Sequence, residues 1–189
     1  MNRRRAPHIP QKRQIYIGCE GASEVGYAAL LQDFINEAGL PVHLKIDELA
    51  PGAGDPLARV ELAVMRIGML AKKRIAPAAA FVLLDTDQIA LDQQRANRAR
   101  RLAIDNDITI VWQESCFEAV LLRHLPNRAA NRPPDSRAAE QAITREWPEY
   151  EKPMSRAALA RRITLDSVLQ AAGVEPDLAG LLRSLELLA

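Results

Sequence analysis

Glu20, Glu24, Asp85, Asp87 and Glu118 are the side chains of this sequence whose type and placement suit them to chemistry. Most fall where a short apolar run gives out: Glu20 after residues 14–19, Asp85-Thr86-Asp87 after residues 78–84, and Glu114 or Glu118 after residues 108–112. In an extended chain, residues two apart point to the same side, so both carboxylates of Asp85-Thr86-Asp87 can address one cation. Glu20 and Glu24 share a face only if a helix already includes Glu20. Carboxylates crowded together repel, and burial raises their pKa, so such a cluster is costly unless a cation neutralises it. Oxygen-only ligands favour Mg²⁺ or Mn²⁺ over zinc, and these ions activate water and stabilise both oxygens of a phosphoryl displacement.

Each acid also has a purely structural role open to it. Ser115-Cys116-Phe117-Glu118 fits a capping box in which Glu118 satisfies backbone donors. Glu24 suits the first turn of a helix, where the dipole favours negative charge. Asp85 and Asp87 can cap a turn. Other chemistries are poorly served: His8, His43 and His124 lack ligand spacing, and Cys19 and Cys116 stand far apart without a CxxC motif, as buried thiols do. Pro51-Gly52-Ala53-Gly54-Asp55 lacks the Lys-Ser/Thr of a phosphate loop and reads as a turn, which weakens a phosphoryl- or nucleotidyl-transferase reading.

The elements that must position these acids alternate in type. Residues 14–19, 42–49, 78–84 and 108–112 read as strands, the third buried on both faces. Between them lie helical patterns: residues 24–38 stopped by Gly39, a helix opened by Asp55 with Pro56 at its first position, and the arginine-rich residues 93–106. A helix over 117–125 follows, then a stretch over 126–137 rich in Pro, Asn and Arg that reads as a mobile, substrate-facing flap. Residues 138–147, 155–172 and 176–188 look helical, and Leu178, Leu181, Leu182, Leu185 and Leu188 belong to core cover or to an interface, including one with a second copy of the chain. The order implies an α/β fold, a Rossmann-like and mainly parallel four-stranded sheet flanked by helices, with a C-terminal helical extension. Such sheets gather ligands at the carboxyl ends of their strands. One domain is expected: a basic arm over 1–13, a core over 14–125, and a loop with helices over 126–189 packed on it.

Composition narrows the classes further. Of 189 residues, 48% are hydrophobic and 26% charged, which is globular rather than disordered. Net charge is +1, so any attraction to phosphates must come from local clusters such as Arg3, Arg4, Arg5, Lys12 and Arg13. No apolar run approaches the roughly 20 residues that span a bilayer, nor does a signal-peptide core follow the basic start, so a cytoplasmic protein without a membrane partner is expected. Arg123, Arg128, Arg132, Arg137 and Lys152 are the candidate phosphate contacts, with Arg123, Arg128 and Lys152 foremost for nucleic-acid binding. Aromatic residues make up only 4%, so stacking platforms are scarce and shape or a partner must supply selectivity.

Glu20-Gly21-Ala22-Ser23-Glu24, Asp85-Thr86-Asp87 and Ser115-Cys116-Phe117-Glu118-Ala119-Val120-Leu121-Leu122, in that order, resemble the successive motifs of the RloB-like family, a Toprim-related group. The resemblance covers residues 14–125 and extends more weakly to Tyr150-Glu151-Lys152, where a lysine recurs in the family. Glu24 falls one position early for the family's Glu-Gly-x-x-x-Glu, and Glu114-Ser115 replaces the Asn-Pro that commonly precedes Cys-Phe-Glu. The resemblance implies a Toprim-like fold in which Glu20 assists proton transfer or binds metal, Asp85 and Asp87 hold a Mg²⁺ or Mn²⁺ ion, and Glu24 and Glu118 support a second ion or orient the first. Glu20, Glu24 and Lys152 then stand as catalytic candidates. The resemblance further implies a nuclease of phage-defence or restriction loci acting on DNA or RNA, tRNA included, beside an AAA- or ABC-type ATPase. A Toprim-like subunit that binds nucleic acid without cutting, as sensor or adaptor, is the competing expectation.

Overall fold

Four short apolar runs, each too brief for a helix and bounded by helix caps, assemble into one parallel sheet. The computed structural model describes residues 12–50, 55–89 and 92–189. Arg3, Arg4 and Arg5 of the expected arm and the loop over 51–54 lie outside the described residues. The elements run β1 (Arg13–Cys19), α1 (Ala22–Glu37), β2 (Val42–Glu48), α2 (Pro56–Lys72), β3 (Ala79–Asp85), α3 (Gln93–Asp105), β4 (Ile108–Gln113) and α4 (Phe117–His124). Four helices follow, α5 (Ser136–Glu146), α6 (Arg156–Leu159), α7 (Leu165–Ala172) and α8 (Pro176–Ser184). The sheet order is β2-β1-β3-β4 with every pair parallel, so the fold is the expected Rossmann-like α/β arrangement.

Alternation along the strands explains the two covering layers. Ile15, Ile17, Phe81, Leu83 and Val111 pack toward α1, α4, α7 and α8 on one face. Tyr16, Ala80, Val82, Leu84 and Ile108 pack toward α2 and α3 on the other. The chain leaves β1 through α1 to reach β2, then crosses back through α2 on the opposite face to β3, so the strand order reverses between β1 and β3. That reversal opens a crevice at their carboxyl ends.

Local chemistry fixes the element ends. Asp55 caps α2 by accepting the Leu57 amide at 3.0 Å, with Pro56 at the first helical position. Gly39, at φ 66°, supplies the left-handed turn that stops α1. The expected single helix over 155–172 is instead two, because Thr164 and Ser167 form a reciprocal capping box that starts α7 afresh. Leu178, Leu181, Leu182 and Leu185 are buried and Leu188 packs against the same cluster, so the leucine-rich end covers the core.

The expected mobile flap over 126–137 is a tethered connection. Its Asn131 carbonyl accepts from Arg123 Nε at 3.1 Å, Arg132 reaches the Val174 carbonyl at 3.0 Å, and α5 already begins at Ser136. Among the described residues, no helix is long and apolar enough to cross a membrane.

Candidate functional site

The crevice between β1 and β3 collects the acids. Glu20 follows β1 directly and its Oε2 accepts the backbone amide of Asp85, the last residue of β3, at 3.1 Å. Parallel pairing of Cys19 with Leu83 puts these two residues at neighbouring strand ends. Arg59, buried on α2, stands 3.5 Å from Glu20 Oε1 and donates to the carbonyls of Glu20 and, at 2.9 Å, Leu49. It thereby ties the ends of β1 and β2 together beneath the Glu20 carboxylate. Burial raises the Glu20 pKa, against the opposing pull of the Asp85 amide and Arg59.

Glu24 is in the first turn of α1 and buried, where Gly21 leaves room for its carboxylate: a Cβ at Gly21 would stand 3.3 Å from Glu24 Oε2. The helix begins at Ala22, so Glu20 lies outside it, and the two acids approach through the fold rather than along one helical face. Burial, and then the charges of Glu20 and Glu118, push the Glu24 carboxyl up to about 7. Asp85 is pushed further, up to about 9, by burial first and then by Glu24, Glu20, Asp87 and Glu118. Its Oδ1 is buried without a hydrogen-bond partner, as is Asp87 Oδ1.

Extended geometry does not continue through Asp85-Thr86-Asp87. The chain bends at Thr86, whose amide donates to the Gln113 carbonyl at 3.1 Å, while the Asp87 amide donates to the Ser115 carbonyl at 3.1 Å. Asp87 Oδ2 instead accepts from Ser136 Oγ at 2.5 Å, which joins the start of α5 to the end of β3.

Glu118 does not close a capping box. Cys116 is the N-cap of α4 and makes no side-chain cap bond; Glu118 Oε1, buried, accepts from Tyr150 Oη at 2.7 Å and lies 2.6 Å from Lys152 Nζ. Burial acts to raise the Glu118 pKa, but the bonds from Lys152 and Tyr150 outweigh it and hold the carboxyl low. Glu118 raises Lys152 in turn, against the lowering effect of burial. Lys152 and Tyr150 arrive on the strap between α5 and α6. That strap is pinned where Met154 N donates to Ser23 Oγ at 3.0 Å, at a crossing so close that a Cβ on Gly26 would be 2.3 Å from Met154 O.

The result is a cavity of about 330 Å³ walled by Glu24, Asp85, Phe117, Glu118 and Lys152 and floored by the first turn of α1. Glu20 and Asp87 adjoin it through Asp85. Among the described residues, no three Asp, Glu, His or Cys side chains close into a ligand set for one ion. Unpaired oxygens remain on Asp85 and Asp87, while Glu118 is already balanced by Lys152.

The expected basic contacts divide. Lys152 lines the cavity with its side chain half exposed. Arg123 is corrected outright as a nucleic-acid contact: it is completely buried, 3.0 Å from Glu175 Oε1, and its guanidinium holds the Glu114 carbonyl at 2.5 Å. Arg128 pairs with Glu146 at 2.7 Å, away from the cavity walls.

Arg59 and Ser136 were not foreseen in the sequence, and Tyr150 stood there only as a neighbour of Lys152, without its role as a donor to Glu118. Arg59 left one trace, a lone basic residue among Pro56, Leu57, Val60 and Ala63 on the buried side of α2. Tyr150 and Ser136 act only through long-range folding. Compared with known proteins, the chain matches no family model, no curated protein and no solved structure.

Proposed function

We propose that this protein is a Mg²⁺-dependent nuclease that hydrolyses phosphodiesters of DNA or RNA, tRNA included, at the β1/β3 crevice. The observation that carries the reading is Asp85: a carboxyl at a strand-order switch point, pushed up to about 9 among four other acids, with Oδ1 buried and unpartnered. Such an arrangement is costly when metal-free and is relieved by a cation. The donors are all oxygens, which suits a hard ion, and Mg²⁺ commonly takes one or two carboxylates and completes its shell with water and substrate phosphate. Asp85 and Asp87 would hold the ion, with Glu20 beside them. A bound ion supplies a polarised water and neutralises charge on the phosphoryl oxygens.

The remaining side chains have roles of their own. Glu24, with a pKa of about 7, suits proton transfer near neutrality, where a general acid–base group works best. Lys152, half exposed and anchored by Glu118, presents an ammonium to a phosphate entering the cavity. Tyr150 orients Glu118. Arg59 fixes Glu20 rather than meeting substrate.

A second reading, a Toprim-like subunit that binds nucleic acid without cutting, has its own support: Glu118 is neutralised by Lys152, and among the described residues no three-acid ligand set closes. A cytoplasmic effector of anti-phage defence working with an AAA- or ABC-type ATPase belongs to the same proposal, on the sequence resemblance alone. The test is incubation of the full chain with labelled tRNA and plasmid DNA in Mg²⁺, Mn²⁺ or EDTA, alone and with an added AAA- or ABC-type ATPase. Metal-dependent cutting lost in Asp85→Ala and Glu20→Ala supports the nuclease. Full activity of Asp85→Ala would sink the site assignment, and binding without cutting favours the adaptor.

A further inference from the structure

Helix α5 starts at the acid cluster and leads away from it. Its first residue, Ser136, holds Asp87 at 2.5 Å, and Glu140, one turn on, adds its negative field to Tyr150 and Lys152. Arg137, Gln141 and Arg145 recur every four residues on its exposed side, with Thr144 beside them, and these residues with Glu140 line an open groove of about 620 Å³. Among the described residues, neither Arg137 nor Arg145 enters an ion pair of 4.0 Å or less. Their neighbours are committed elsewhere, Arg123 and Arg132 to Glu175 and Arg128 to Glu146.

We propose that the exposed Arg137–Gln141–Arg145 stripe of α5 is a track for a phosphodiester backbone, guiding a nucleic-acid strand toward the acidic cavity. Guanidinium groups match phosphate oxygens with paired donors, and the neutral Gln141 and Thr144 add hydrogen bonds without repelling the strand. Eight residues of helix separate the two arginines by about 12 Å, the axial span of roughly three to four phosphates along one duplex strand. The groove carries no aromatic side chain, so the contact is to backbone rather than to stacked bases, and it does not distinguish sequence. The inference rests on the nuclease or adaptor reading of the adjoining site and names the surface that takes the polymer.

The experiment is fluorescence anisotropy of the full chain with labelled RNA and DNA oligonucleotides of one sequence, in EDTA, across a salt series. Arg137→Gln combined with Arg145→Gln should weaken binding at low salt. It should also flatten the plot of log affinity against log salt by about 1.4 for a single strand, so that its deficit shrinks about sevenfold between 50 and 200 mM. A paired variant on the opposite layer, Arg98→Gln with Arg101→Gln on α3, should leave both readings near wild type. Unchanged affinity and slope in the α5 variant, with wild type still binding, overturns the track and leaves the site reading standing. Equal losses in both variants overturn it as well, since the attraction is then diffuse. If wild type binds neither polymer, the track and the nucleic-acid reading fall together. Stronger loss with RNA or with DNA identifies the polymer the track takes.

Discussion

Two carboxyls at the site are held on opposite sides of their ordinary range, and the contrast sets the residue-scale expectations. Asp85 binds its proton more tightly in the fold than in the unfolded chain, so between pH of about 4 and about 9 the native state carries more protons. Stability therefore falls as pH rises through that window, by at most about 1.4 kcal/mol per unit for one group. Asp85→Asn, neutral at every pH, should flatten that decline and raise the melting temperature at pH 8; an unaltered pH profile would show that the carboxyl is not strained. Glu118 is the reverse case, held low by Lys152 and Tyr150, so its contribution is present above the ordinary glutamate pKa and is lost on acidification. Tyr150→Phe removes one of its two donors and should cost about 1.5–3 kcal/mol in urea unfolding at pH 7, with a smaller deficit at pH 4. Arg123→Ala leaves Glu175 buried without its main partner and should destabilise by about 3–5 kcal/mol, a loss that an exposed phosphate contact would not produce.

At the scale of elements, the strap that delivers Tyr150 and Lys152 depends on one missing side chain. Gly26→Ala would drive a methyl into Met154 O, so the strap must shift, at a cost of about 1–3 kcal/mol. Limited proteolysis should then cut near Pro153, and an uncut strap would show that the crossing tolerates a Cβ. The sequence made the four strands and the helices α1 to α4 readable, since short apolar runs ending in acids and the Asp55-Pro56 cap are local signals. It showed less of what long-range packing decides. Arg123 looked exposed because it stands at the end of α4 beside a stretch rich in Pro and Asn, and nothing nearby announced Glu175 in the cap of α8. Glu118 looked like a cap because its partners lie on a strap that returns only after α5. The break between α6 and α7, by contrast, was written locally in Thr164 and Ser167.

At the scale of the whole molecule, each sheet edge has an outward amide already taken. That of Leu44 on β2 donates to Gln32 Oε1 at 2.6 Å, and that of Trp112 on β4 to Asp177 Oδ2 at 3.0 Å, which blunts each edge as a template for a further strand. The parallel order instead gathers the carboxyl ends of the strands, and with them the acids, at one end of the sheet. A divalent ion that binds only the native fold stabilises it by mass action, and because the raised carboxyls must lose protons to bind, its effect should grow between pH 6 and pH 8. The most direct measurement is a calorimetric titration of the full chain with Mg²⁺ at pH 8, beside Asp85→Asn. Saturable binding in wild type, lost in the variant, is the predicted result; equal binding by both proteins, or none by wild type at millimolar Mg²⁺, would contradict the account.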